Sequence, residues 1–309
     1  MPHRSVLPYA LRDRAFTTAE GRAAGVGEQR MRGPDLAAPF PGVRMPRDDA
    51  PGLLPLCRAL DLRLRADTAF SHATAALLWH VPLPERLQQS VELHVSTVAP
   101  ATRVRVHGVV GHTSPCGTPF ERRYGLRVTG PADTFIALAG VLSFDDLVAA
   151  GDHLVLTPRY DTAERRPYVP LLRLAERVSS YSGRHARRVR EAFAAVRDGA
   201  ESRQETRLRL AMVRRGLPEP LLNRDIHDLS GELIGRADMV YPFWRVIVEY
   251  DGDHHRTDAA QHDRDITRRE EFALADYRYV SVRKYGMTHT PDSGAARAER
   301  ALRLAGWRP

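Results

Sequence analysis

Apolar and polar positions alternate along this chain in two rhythms. A period near 3.6 predicts amphipathic helices, and a period of two predicts half-buried strands. In the C-terminal third, MVY (239–241) and VIVEY (246–250) are β-branched and aromatic apolar runs, and YRYVSVRK (277–284) alternates strictly; all three read as strands. SRQETRLRLAMVRRGLPEP (202–220) is an amphipathic helix in which Ser202 and Glu205 have capping-box spacing. DAAQHDRDITRREEFALAD (258–276) reads as a long polar helix.

Residues 51–160 form a mixed α/β stretch. SHATAALLWH (71–80) is an amphipathic helix with Ser71 at its cap position, and VELHVSTV (91–98) and TRVRVHGVV (102–110) alternate as strands. LRVTGPADTFIALAG (126–140) returns to helix. The first 50 residues read as small helices with tight turns: AFTTAEGRAAGVG, EQRMRGPDL and PFPGVRMP. Thr17 or Thr18 can cap the first of them, and Gly25 to Gly27 supplies a turn before the second, which is helix-turn-helix spacing. In that motif the second helix enters the major groove, which would set Gln29, Arg30 and Arg32 against bases or phosphates; an alanine-rich helix pair also serves as plain packing. Residues 161–200 read as a basic helical connector, densest at RHARRVR (184–190). Two readings stand for Arg184, Arg187 and Arg188, a solvated helix face or phosphate contact.

The strand pattern of 233–251 raises a chemical question, because its apolar runs carry or end in carboxylates and imidazoles: Asp238, Glu249, Asp251, Asp253, His254 and His255. If Pro242-Phe243 forms a two-residue turn, Tyr241 pairs with Trp244, Val240 with Arg245 and Asp238 with Ile247. Asp238, Glu249 and Asp251 then share one face, with Met239, Val246, Val248 and Tyr250 on the other. Carboxylates converging on a buried face repel unless positive charge lies between them. A hard cation such as Mg²⁺ or Mn²⁺ meets that need with one or two carboxylates, waters and phosphate oxygens, and so do nearby arginines in a structural ion-pair site.

Charge sharpens this picture. The formal net charge is +8, with 27 basic against 20 acidic residues in 1–200 and 19 against 18 in 201–309. Lys284 is the only lysine, so the basic excess is arginine, which suits bidentate contact with phosphate and guanine and makes DNA a plausible partner. Hydrophobic residues at 43% and charged residues at 27% fit a globular chain with a real core. No run of about 18 apolar residues predicts a membrane span, and the N-terminus lacks the apolar core of a secretory signal, so the expected location is the cytoplasm. Cys57 and Cys116 lack ligand spacing and are expected to be buried thiols. His72, His80, His94, His107 and His112 show no metal spacing and read as surface or satisfied core histidines.

Two resemblances follow from the motifs. FTTAEGRAAG with PGVRMP, SHATAALLWHVPLP and LRVTGPADTFIALA resemble AbiEi-type antitoxin and transcriptional-regulator proteins, which implies a winged helix-turn-helix over 1–50 and an α/β domain over 51–160. EYDGDHHRT, HDRDITRRE and GLPEP in residues 201–309 resemble the PD-(D/E)XK nucleases related to very-short-patch repair (Vsr) endonucleases, whose restriction endonuclease-like core runs αβββαβ. That resemblance implies a magnesium-dependent hydrolase acting on DNA phosphodiesters, with Asp238 and Glu249 as metal ligands and Glu205 as the helix carboxylate. It gives His254 or His255 the proton transfers. The lysine position of the (D/E)XK motif is occupied by Asp251, which could join the metal site. The expected whole is an α/β multidomain endonuclease with an N-terminal DNA-binding region. Its alternative is a DNA-binding regulator or antitoxin-like protein whose nuclease-like domain does not cleave.

Overall fold

A computed structural model describes residues 6–48, 50–160, 164–228, 230–252, 259–287 and 292–309. It is a mixed α/β chain with three sheets, and it divides into two compact units, 1–137 and 138–309. The limits expected at 50, 160 and 200 fall inside these units.

The first unit begins with β1 (Phe16–Thr17), α1 (Thr18–Ala23), α2 (Glu28–Met31), β2 (Leu36–Ala37) and β3 (Val43–Pro46). Thr17 caps α1: its hydroxyl accepts the Glu20 amide at 3.1 Å and Glu20 accepts the Thr17 amide at 2.7 Å, so two orphan helix donors are satisfied. The strands form an antiparallel sheet in the order β1-β3-β2. Leu7, Leu11, Phe16, Val26, Met31 and Leu36 make its small core. Gly21 is needed there, since a Cβ would lie 2.8 Å from Met31 Sδ. PFPGVRMP, expected as a helix, instead supplies strand β3, in which buried Val43 and Met45 alternate with the half-buried Arg44 and Pro46.

The same unit continues with α3 (Leu53–Asp61), β4 (Thr68–Phe70), α4 (His72–Leu78), α5 (Glu85–Gln88), β5 (Leu93–Val98), β6 (Val109–Ser114), β7 (Phe120–Arg123), β8 (Leu126–Thr129) and α6 (Pro131–Leu138), whose last residue crosses the division. Its sheet runs β6-β5-β4-β8-β7, with β5–β6 and β4–β8 parallel. Three expectations need correction here. TRVRVHGVV is not one strand: Gly108 turns with φ +74°, β6 starts at Val109, and 102–108 folds back so closely that a Cβ on Gly111 would meet the Val104 carbonyl. Ser71 stands at the N-cap of α4 but accepts no helix amide; its hydroxyl lies 3.0 Å from His72 Nδ1. Cys57 is buried as expected, whereas Cys116 sits exposed in a turn.

The second unit opens with α7 (Phe144–Val155), α8 (Leu171–Ser180), α9 (Ala186–Ala194) and α10 (Arg203–Arg214). A buried network ties α7 to α10: Arg209 donates to Asp152 at 3.1 Å and to Glu219 at 2.7 Å, while Thr206 donates to Asp152 at 2.8 Å. Burial pushes the Asp152 carboxyl up to about 6 against the pull of Arg209.

Beyond them lie β9 (Leu221–His227), β10 (Leu233–Tyr241), β11 (Val246–Tyr250), α11 (Ala259–Leu274), β12 (Arg278–Val282) and α12 (Gly294–Leu304). The sheet order is β12-β11-β10-β9, antiparallel except for the parallel β11–β12 pair. Met239, Tyr241, Val246, Val248, Val280 and Val282 pack on Leu208 and Met212 of α10 and on Ala298 and Leu302 of α12. Val240 and Ile247 pack with Phe272 of α11 on the other side. The Pro242-Phe243 turn is corrected as well. Residues 242–244 form a 3₁₀ turn and Arg245 takes a left-handed φ of +48°, so Tyr241 pairs with Val246 and Val240 with Ile247. The register moves by two residues, which preserves the facing of every side chain. Among the described residues no helix is long and apolar enough to cross a membrane.

Candidate functional site

Continuing the β10–β11 register sets Asp238 level with Glu249, two neighbouring carboxylates on adjacent strands of a covered sheet. Asp238 Oδ2 accepts the Tyr250 backbone amide at 2.8 Å, tying this side chain to the neighbouring strand. Glu249 is 6% exposed, and its Oε2 accepts from the Tyr279 hydroxyl at 2.5 Å and from Arg268 Nη2 at 3.0 Å. Tyr279 comes from β12 and Arg268 from α11, so three elements meet at one carboxylate.

Glu205 completes the group from the first turn of α10. It has a capping role: the Ser202 hydroxyl accepts its amide at 3.1 Å, and its own carboxylate accepts the Glu201 amide at 2.9 Å. Asn223 of β9 donates to the same oxygen at 3.1 Å. Burial raises the Glu205 pKa above its ordinary value. Asp238 is pushed up to about 8, first by burial and then by the charges of Glu205 and Glu249. Arg268 pulls it the other way. Three carboxylates from α10, β10 and β11 therefore act on one another, and the middle one is held protonated at neutral pH.

Asp251, just past β11, is compensated differently. Arg283 reaches it through Nε and Nη2, both at 3.0 Å, Arg269 lies at 3.5 Å and the Ser281 hydroxyl at 3.4 Å. The Arg269 guanidinium also lies over the Tyr279 ring, 5.1 Å from its centroid. His254 and His255 lie outside the described residues.

This donor set is hard oxygen, which matches Mg²⁺ or Mn²⁺ rather than a soft metal. Among the described residues no group of three or more His, Cys, Asp or Glu side chains could hold a metal ion.

The residues expected at DNA are divided between the two units. Gln29 is exposed on the four-residue helix α2. Arg30 forks onto Asp35 at 2.8 and 3.1 Å, while Arg32 is 77% exposed and 3.9 Å from Glu28. Arg184 is exposed before α9, Arg187 is 91% exposed and paired with Glu191 at 2.7 Å, and Arg188 donates to the Leu142 carbonyl at 2.6 Å.

The sequence reading did not anticipate a meeting of His72, His94 and His112. The His72 and His112 rings stack with centroids 3.5 Å apart, and His94 Nδ1 lies 3.0 Å from His112 Nε2. Burial lowers the His72 pKa to about 3 and the His112 pKa to about 4, and it lowers that of His94 too. The meeting depends on the parallel β5–β6 register, with His94 opposite Val110 and Ser96 opposite His112, so both histidines face the same way.

No protein-family model matches the chain. It is similar to "Uncharacterized protein Rv2248" of Mycobacterium tuberculosis (strain ATCC 25618 / H37Rv), at 28% identity over 261 residues, 83% of this chain and 90% of the relative. "Uncharacterized protein MT2308" of strain CDC 1551 / Oshkosh aligns with the same identity and coverage. Neither name assigns an activity.

Proposed function

We propose that this chain is a metal-dependent DNA endonuclease that hydrolyses phosphodiester bonds. The observation that carries the reading is the register that sets Asp238 beside Glu249 with Glu205 close enough to raise the Asp238 pKa. Such repulsion at a buried site is a mark of a place built for positive charge. The helix-strand-strand-strand-helix-strand order from α10 to β12 also agrees with the order that the nuclease resemblance implies.

When bound, Mg²⁺ or Mn²⁺ would activate water and stabilise charge on the phosphodiester. Asp238 and Glu249 would hold it. Glu205 tunes Asp238 from the helix, and Asn223 with the Glu201 amide fixes the Glu205 carboxylate in place. Asp251 does not substitute for the missing lysine, because two arginines already pair with it. Proton transfer would fall to His254 or His255, since histidine is the side chain whose unperturbed charge change lies nearest neutral pH. Gln29, Arg30, Arg32, Arg184, Arg187 and Arg188 are the proposed DNA contacts, of which Gln29, Arg32, Arg184 and Arg187 are exposed.

One observation favours a second reading, a DNA-binding regulator that grips without cutting. Arg268 and Tyr279 already occupy Glu249 Oε2, as an ion-pair site would. Cleavage of plasmid and short mismatched duplexes with Mg²⁺, Mn²⁺ or EDTA separates the two. Metal-dependent nicking that disappears in Asp238→Asn supports the nuclease; binding without cleavage under either metal supports the regulator.

A further inference from the structure

Arg268 occupies a prepared place. Its Nη2 donates to Glu249 at 3.0 Å and its Nη1 to the Arg236 carbonyl of β10 at 3.2 Å, so the guanidinium bridges the two strands that carry the carboxylate pair. The stem of the side chain runs over Gly235. A Cβ there would lie 2.9 Å from Arg268 Cδ, so the strand leaves room for this arginine by having none. The guanidinium lies over the ring of Phe272, one helical turn further along α11, 5.7 Å from its centroid.

A guanidinium cannot lose its proton in a protein, so it cannot yield to another cation by becoming neutral. It has to move. A divalent ion bound by Glu249 would sit beside this fixed charge, and like charges at such distances repel strongly away from bulk water.

We propose that Arg268 is a built-in competitor for the divalent cation, a counter-ion that must leave Glu249 before metal is held. This rests on the nuclease reading of the carboxylate pair. Arg268 is then a positioning residue that sets how tightly metal binds. It supplies the counter-charge of Glu249 while no metal is present, and its release from Glu249 accompanies metal entry.

The test is Mn²⁺ affinity without DNA, measured by titration calorimetry and by the electron paramagnetic resonance of free Mn²⁺. The proteins are wild type, Arg268→Gln, Arg268→Lys, Tyr279→Phe and Asp238→Asn. Removing a charged hydrogen-bond donor should tighten Mn²⁺ about tenfold in Arg268→Gln. Arg268→Lys, which keeps a cation but reaches one acceptor rather than two, should fall between it and wild type and guards against misfolding of the first variant. Tyr279→Phe, which frees the same oxygen without changing charge, should bind Mn²⁺ within about twofold of wild type. Unchanged or weaker binding in folded Arg268→Gln overturns the proposal, and so does equal tightening in Tyr279→Phe. If wild type binds Mn²⁺ and Asp238→Asn does not, the metal reading survives that failure; if no protein binds, both fall together.

Discussion

The charge conflict at Asp238 can be read as a slope of stability against pH in metal-free protein. Its folded pKa, pushed up to about 8, lies far above the ordinary aspartate value. Between those two values the folded state keeps a proton that the unfolded chain has given up. Stability is therefore highest at the acid end and declines until the pH passes the folded value. From pH 6.5 to 7.5 the unfolded carboxyl is ionised and the folded one still largely protonated, so the full linkage slope of about 1.4 kcal/mol per pH unit nearly applies. A loss of about 1 kcal/mol across that interval is expected, or about 2–4 °C in Tm for a unit of this size. Asp238→Asn removes the titrating group while keeping its shape and hydrogen-bond acceptor, so the variant should lack this decline. The assay is thermal and urea unfolding in EDTA, followed by the fluorescence of Trp244 and Trp307, which both lie in the second unit. Saturating Mg²⁺ should flatten the wild-type slope and raise its Tm, since a ligand of the folded state stabilises it by mass action. Equal slopes in wild type and variant between pH 6.5 and 7.5 would refute the argument that Asp238 is held protonated by its burial and its acidic neighbours.

Other elements give separate expectations. The histidine cluster acts in the opposite direction: with folded pKa values below the unfolded one, its stability is present above about pH 6.5 and lost on acidification, by about 2 kcal/mol at pH 5 for His72 alone. Trp79 fluorescence in the first unit should report that acid lability, and His72→Asn should reduce it. Arg209→Met strands a buried Asp152 carboxylate and should destabilise the second unit by about 3–5 kcal/mol, whereas pairing it with Asp152→Asn should recover much of the loss in chemical denaturation. Thr17→Ala removes the α1 cap and should cost about 1 kcal/mol in urea unfolding of the first unit.

What the sequence made legible followed from local periodicity. The apolar face of β10 and β11 was readable because parity survives a two-residue slip. The register was not, because it depends on Arg245 adopting a left-handed conformation that a non-glycine residue does not advertise. Strand β9 escaped the sequence reading because it lies at the sheet edge, where Asn223, Arg224 and Asp225 interrupt the alternation. Helix α12 also went unassigned, although Ala298 and Leu302 fill the core. The histidine cluster needed the order β6-β5-β4, in which β5 and β6 pair in parallel across an intervening loop, and no local pattern carries that information.

The distribution of compensating charge at the acidic site bears most directly on function. Glu249 and Asp251 each pair with arginine. The hydrogen bonds accepted by Asp238 and Glu205 come instead from neutral donors, the Tyr250 amide for one and the Glu201 amide with Asn223 for the other. A site shaped only to hold strands together gains from pairing every buried charge, since an ionised group left without a partner destabilises the fold. Here burial first, and the charges of Glu205 and Glu249 after it, keep Asp238 protonated against the pull of Arg268 while no cation is bound. On the proposed nuclease reading, a divalent ion held by Asp238 and Glu249 would take the place of that proton.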